Sequence, residues 1–515
     1  MSKSRTSKVA AGTLTAFLQY GLQMVLQIAL APLVLKYAGK ETLGAYAIIT
    51  QVVGQLTLLD FGFTTTLMRY LANAHGYDDA HQRFRNVFTT GRSFLMASSL
   101  ILSLTIILLS FWVGSLFSLS PAVNSQARLA LLLLGIWTAF RTPIALYDLG
   151  LFSMQNQKIS NIFAMINNSL RLVLSLILVI SGHGLVGLML ASIVSELTGL
   201  LISRWYFKRL YPQIQIGWGF PEKTLFKEMF KFGFQIMLMN IVSRLIFGTD
   251  NIIVGYLFNA TAVAAYYTTQ MPTFASFVLI WKLSDNAAPA INELIGRGNF
   301  TSLRSGYNRL YRYTMLMTIP FVLGIIFFNK PLVTFWVGSG QYAGDLMSLF
   351  LAFFCFIAII SHLNAAFLVA FGVIWPFIVF GLFEAAVKLS LSFVLGRLYG
   401  IQWIMVASVV AAVPGFIYMS LITIRCLKLS IKEFWREAFY PPLISCVFSL
   451  PILLVMFAYR SNLTLISFFA FAGIFLLSCA LGSFIWGLSV EDKTQIWQYT
   501  TKACTPILRK IRRKD

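Results

Sequence analysis

Apolar runs of membrane-spanning length follow one another along almost the whole of this chain, and that pattern leaves few folds open to it. A bilayer core takes roughly 20 consecutive apolar residues per helix. No water reaches the hydrocarbon to satisfy open backbone groups, so runs of this length must close their hydrogen bonds as helices. Allowing a few residues at each boundary, spans fall at about 11–35, 43–68, 88–113, 127–152, 159–182, 184–207, 227–256, 259–288, 310–328, 345–372, 374–397, 401–427, 438–459 and 462–488. The expected fold class is an all-α polytopic membrane protein with about fourteen transmembrane helices. The connections are short, so no soluble domain is expected between spans.

Charge excludes one function class and sets orientation. Lys plus Arg number 40 against 18 Asp plus Glu, a formal charge of +22. In a soluble chain this would point to nucleic acid. Here the basic residues sit in short loops, where they answer the anionic cytoplasmic leaflet, and nucleic acid is set aside as a partner. With the N-terminus in the cytoplasm, about 29 of the basic residues fall inside, about six outside and about five within spans. Both termini are therefore expected to be cytoplasmic. Arg204 to Lys231, Arg425 to Arg436 and the tail Arg509, Lys510, Arg512, Arg513 and Lys514 hold most of this charge; the tail reads as an anchor to membrane lipids. Cys355, Cys426, Cys446, Cys479 and Cys504 show no metal-ligand or redox spacing and read as packing residues. The first apolar stretch is too long for a secretory signal and reads as a retained helix.

A short repeat is visible. Leu43-Gly44-Ala45-Tyr46 opens the second span and Val263-Ala264-Ala265-Tyr266 lies early in the eighth. The shift makes spans 1 to 6 (residues 1–210) and 7 to 12 (227–430) two equivalent six-helix lobes, joined by a cytoplasmic loop at 211–226. Residues 431–490 add two C-terminal helices, and 491–515 the basic tail. Transporters are often built from repeats with the substrate site between them.

LGAYAIITQVVGQLTLLDFGFTTTLMRYLA in the second span, DNIIVGYLFNATAVAAYY from Asp250 and PLVTFWVGSGQY from Pro331 resemble the polysaccharide and O-antigen flippases of the multidrug/oligosaccharidyl-lipid/polysaccharide (MOP) exporter superfamily. The resemblance covers most of the chain. It implies a two-lobed, MATE/MOP-like fold in the bacterial cytoplasmic (inner) membrane. It also implies outward movement of an undecaprenyl-diphosphate-linked glycan by alternating access, in O-antigen, capsule or exopolysaccharide synthesis, beside a glycan polymerase machinery. An Arg-rich cavity would receive the diphosphate or acidic sugars. No cofactor is implied beyond H⁺ or Na⁺ as a coupling ion.

Charges inside spans carry the functional argument, because each is costly in hydrocarbon. Arg141, Arg171 and Arg244 are the leading headgroup contacts, with Lys282 and Lys388 beside them; guanidinium stays ionised and binds phosphate through a planar fork. The competing reading pairs them internally, Arg141 with Asp148 and Arg244 with Asp250. Asn167 and Asn168, four and three residues before Arg171, share its face and suggest a polar cavity wall or an interhelical hydrogen bond. Glu384 and Lys388 are spaced for a same-helix ion pair; the alternative makes Glu384 a coupling carboxylate. Glu196 has no cation nearby in sequence and is the better coupling candidate. Asp250 lies in the family-like stretch and is a further one. Asp60 with Gly62, and Lys282 with Asp285, occupy corresponding places in the two lobes and suit a gate or the closing of helix ends. His362 is a lone histidine within a span, able to titrate near neutral pH or to serve packing. Pro143, Pro272, Pro289, Pro320, Pro376 and Pro414 are expected to break helices.

Two other functions compete. A MATE-like drug/cation antiporter calls for an acid-rich cavity, whereas five basic residues within spans favour an anionic substrate. A membrane glycan polymerase or ligase calls for a large external loop, which is absent here, as are a nucleophile–base constellation and metal-ligand spacing. No catalytic or metal residue is assigned. Nor is there a P-loop for direct ATP coupling.

Overall fold

The computed structural model describes residues 2–74, 80–154, 157–212, 214, 221–459 and 463–494, and these are almost entirely helical. Residues 213 and 215–220 of the loop 211–226, Cys504 and the tail beyond Thr494 lie outside the described residues.

The helices follow the apolar runs. In chain order they are α1 (Ser2–Tyr37), α2 (Lys40–Leu56), α3 (Phe63–Ala74), α4 (Ala80–Leu116), α5 (Pro121–Ser153), α6 (Gln157–Ile180), α7 (Gly184–Leu210), α8 (Lys223–Phe247), α9 (Asp250–Leu257), α10 (Ala260–Gly296), α11 (Phe300–Val337), α12 (Asp345–Ala370), α13 (Trp375–Tyr399) and α14 (Trp403–Leu427). Shorter pieces follow: α15 (Ile431–Phe434), α16 (Tyr440–Ser445), α17 (Leu450–Ala458) and α18 (Leu465–Gly482). Among the described residues 13 helical stretches are long and apolar enough to span a bilayer. The 37-residue α10 covers the expected eighth span as well. The protein is therefore an all-helical, multi-pass membrane protein.

Two of the expected spans are broken. The second, read as continuous from 43 to 68, ends its α-helix at Leu56, tightens into a 3₁₀ turn over Thr57–Asp60, and restarts at Phe63. Phe61 and Gly62 take positive φ (51° and 70°), and Asp60 Oδ1 accepts the Gly62 N–H at 2.8 Å, replacing one lost helical bond. Glycine is needed at 62 twice over: a Cβ there would meet the Gly233 carbonyl at 2.5 Å as well as being strained. The seventh, read as continuous to 256, stops at Phe247 and restarts at Asp250. Conversely, Pro320 and Pro414, expected to break helices, lie inside α11 and α14. Neighbouring groups can satisfy the freed carbonyls of a buried bundle, so proline is tolerated there.

Two compact units are distinguishable: Met1–Pro272 with Trp336–Ala343 and Ile378–Ser408, and Thr273–Phe335 with Gly344–Phe377 and Val409–Asp515. In the first unit, an aromatic core gathers Phe63, Phe84, Phe88 and Phe207 from α3, α4 and α7, with Phe94 stacked on Phe63 at 3.7 Å between centroids. In the second, Phe328 of α11 packs against Leu453, Phe468 and Phe475, seating α17 and α18 on it.

Asp492, just beyond the last span, ties the second unit's end to α11. It is 2% exposed and receives Arg309 at 2.6 Å, Arg312 at 3.0 Å and the Tyr313 hydroxyl at 2.6 Å. Burial pushes its pKa up, but the hydrogen bonds from Tyr313 and Ser489 and the charge of Arg309 outweigh that and hold it below the usual carboxylate value. The sign follows: the stabilisation is complete above the unfolded value of about 4 and is lost as pH falls through the lower folded value. Asp492→Asn should lower the melting temperature at neutral pH and flatten its fall below about pH 4. Equal acid sensitivity in the variant and the wild type, by thermal melts in detergent, would refute this.

Candidate functional site

The break in the second span opens a cavity of about 290 Å³ in the first unit. Thr57 and Asp60 of the 3₁₀ turn line it with Arg141 and Asp148 of α5, Asn167 of α6 and Glu196 of α7. Arg141 does not pair with Asp148. Its Nε meets Glu196 Oε1 at 2.5 Å, and Trp137 Nε1 donates to Glu196 Oε2 at 2.7 Å. Asp148 instead accepts the Ser203 hydroxyl at 3.0 Å. Glu196 thus has a cation after all, supplied from a helix 55 positions away. The lining holds three carboxylates to one guanidinium, so this cavity is acidic.

A second cavity of about 220 Å³ in the same unit holds Arg171. Gln23 and Gln27 of α1, Tyr46 and Thr50 of α2, Asn168 and Ser175 of α6 and Tyr267 of α10 surround it. No carboxylate lines this cavity, and among the described residues Arg171 makes no ion pair. The two asparagines expected on one face are divided, Asn167 facing the acidic cavity and Asn168 the arginine one. Adjacent helical residues point about 100° apart, enough to reach different cavities. Gln23 and Gln27 escaped the sequence reading, although their i,i+4 spacing inside an apolar run marks a polar stripe.

A buried ion pair sits at the other helix break. Lys388 of α13 meets Asp250 Oδ1 at 2.7 Å, with side-chain exposures of 1% and 4%. Tyr266 donates to Asp250 Oδ2 at 3.2 Å. Lys388 also donates to the Ile246 carbonyl, and Gln55 Nε2 donates to the carbonyls of Arg244 at 2.9 Å and Gly248 at 2.5 Å. These side chains brace the carbonyls at the break, of which that of Arg244 also accepts the Gly248 N–H at 2.8 Å. Two expected pairs are corrected here. Asp250 pairs with Lys388 rather than Arg244, because the break at Gly248 separates it from the α8 helix carrying Arg244, whose side chain is exposed. Lys388 turns to Asp250 rather than to Glu384 one turn away, and so is sealed from any headgroup. In the second unit Lys282 and Asp285 do pair, at 2.8 Å.

An all-helical bundle with interrupted spans and charged cavities within one unit defines a polytopic membrane protein with polar sites inside its spans. Solved structures share that fold. The lipid II flippase MurJ, in an inward closed conformation, matches with a TM-score of 0.66 at 17% identity over 92% of this chain and 98% of that one. An inward-facing multidrug resistance MATE family transporter of the MOP superfamily matches at 0.60 and 16% identity, over 79% and 95%. A Shigella flexneri protein described as "Putative O-antigen transporter" is 23% identical over 387 residues, 71% of this chain and 90% of that protein. Residues 7–293, more than half of the chain, match the polysaccharide biosynthesis protein family, to which the chain belongs.

Proposed function

We propose that this protein moves a polyprenyl-diphosphate-linked oligosaccharide, an O-antigen, capsule or exopolysaccharide repeat unit, outward across the bacterial cytoplasmic membrane by alternating access. Undecaprenyl diphosphate is the lipid carrier in this reading, and a glycan polymerase is the downstream partner. The observation that carries it is Arg171, an ionised guanidinium in a cavity of amides and hydroxyls with no carboxylate to neutralise it. Such a site suits the phosphates or acidic sugars of a headgroup. The family and the relatives support a transporter rather than an enzyme. The basic bias of the loops supports cytoplasmic termini.

The acidic cavity suits a coupling cation, H⁺ or Na⁺, at Glu196 with Asp60 and Asp148. Arg141 serves there as the counter-charge of Glu196 rather than as a headgroup contact.

Reconstituted with a polyprenyl-diphosphate-linked oligosaccharide, Arg171→Ala should slow transbilayer movement by roughly 10- to 100-fold. That factor corresponds to the loss of one charge-assisted hydrogen bond of about 1.5–3 kcal/mol. Arg171→Lys should fall between, keeping the charge without the fork. Wild-type rates in a well-folded Arg171→Ala protein would remove the residue from the site.

A further inference from the structure

The second unit holds a cluster of titratable groups that belongs to neither cavity. Lys282 and Asp285 lie one turn apart on α10, joined Nζ to Oδ2 at 2.8 Å. From α12, His362 Nε2 reaches the other carboxylate oxygen at 2.9 Å. The imidazole lies flat on the Trp281 indole, with centroids 4.3 Å apart and planes 10° from parallel. His362 stands alone in sequence but not in space. The three polar side chains are 28%, 40% and 30% exposed for Lys282, Asp285 and His362. Ionisable groups in spanning helices face the bundle interior or water rather than lipid, so this exposure means access to water.

We propose that His362, Asp285 and Lys282 form a proton-binding site that switches the α10–α12 contact. With Asp285 ionised, His362 Nε2–H donates to it and leaves Nδ1 as the basic nitrogen. A proton from water adds to the Nδ1 lone pair; no bond in the protein breaks, and the cluster passes from neutral to a single positive charge. One carboxylate then serves two cations, which loosens its hold on Lys282. The stack on Trp281 fixes the ring plane, so the hydrogen bond and the free nitrogen keep their places in both charge states. An imidazole is the side chain whose ordinary range of titration covers about pH 5 to 8, which suits it to this role.

Among the described residues, no ion pair joins the ring to a charged group other than Asp285. From α11 and α14, Tyr307 and Ser420 meet α12 at Asn364, two residues further along. The contacts to His362 come from α10, Asp285 directly and Lys282 through it. Proton binding does not depend on the cargo, but its effect on transport rests on the glycan reading.

Two measurements test the site. The chain has 4 histidines, so full-length protein labelled with ¹³C at histidine Cε1 gives few signals, and the one missing in His362→Gln is assigned. That signal should move between about pH 5 and about pH 8, and its titration should differ in Asp285→Asn. A signal that stays fixed across that range, or that titrates identically in Asp285→Asn, overturns the proposal. In proteoliposomes with the same pH on both sides, the rate of glycan movement should change severalfold between about pH 6 and about pH 8 in the wild type and be nearly flat in His362→Gln. Full pH dependence in His362→Gln overturns the switch. If the wild type moves no lipid-linked glycan at all, the cargo assignment fails, and the histidine titration alone decides the proton site.

Discussion

Replacing Lys388 with methionine is expected to cost on the order of 3 to 5 kcal/mol of stability, as breaking a buried ion pair does when one charge is left behind. The ammonium is sealed at 1% exposure against Asp250, and it also caps the Ile246 carbonyl where the seventh span breaks. Without it, Asp250 keeps the Tyr266 hydroxyl and remains a buried charge with no cation beside it among the described residues. Adding Asp250→Asn should recover most of the loss, because an amide is far cheaper to bury than a carboxylate. Thermal melts of the single and double variants in detergent separate these cases. An unchanged melting temperature in Lys388→Met would show that the pair does not hold the break together.

Gly44→Ala should be nearly as damaging, for a steric reason. Gly44 of α2 sits against the start of α10 so closely that a Cβ would overlap the Ala260 carbonyl and stand 3.1 Å from its Cα. Backbone cannot move aside as a side chain can. The expected cost is on the order of 3 kcal/mol, at the upper end for overpacking. Small residues let membrane helices approach where lipid leaves little hydrophobic drive between them. Gly21→Ala is the control: nothing lies within 4 Å of its Cβ, so the change should be neutral or slightly stabilising through helix propensity. Equal melting temperatures for the two variants would contradict the close-approach account.

Gly44 also shows what the sequence made legible. The Leu43-Gly44-Ala45-Tyr46 and Val263-Ala264-Ala265-Tyr266 motifs stand out as a repeat, and both tyrosines reach polar sites, Tyr46 at the Arg171 cavity and Tyr266 at Asp250. The spans were legible because each is a local run of apolar residues. The breaks were not, since Asp60 to Gly62 and Gly248 to Asp250 interrupt the apolar pattern too briefly to end a window of spanning length. Charge partners were the least legible of all. Arg141 with Glu196, Lys388 with Asp250 and His362 with Asp285 each join helices far apart in the chain. Same-helix spacing pointed instead to Asp148 and Glu384, while Lys282 with Asp285, one turn apart, could be read locally.

This difference in partners separates the arginines. In sequence, Arg141 and Arg171 are equivalent headgroup candidates. In space, one faces a glutamate in an acidic cavity and the other faces amides and hydroxyls. One chain therefore holds a carboxylate-rich cavity and a carboxylate-free arginine cavity, the pair of environments on which the proposed ion-coupled movement of an anionic lipid rests.

The most direct test of the account is transbilayer movement of a polyprenyl-diphosphate-linked oligosaccharide in proteoliposomes, with and without an imposed pH or Na⁺ gradient. Movement is expected in the wild type, accelerated by one of the gradients, and slowed roughly 10- to 100-fold in Arg171→Ala. Efflux of a cationic dye, with no movement of lipid-linked glycan under any gradient, would contradict it and assign the acidic cavity to a cationic substrate.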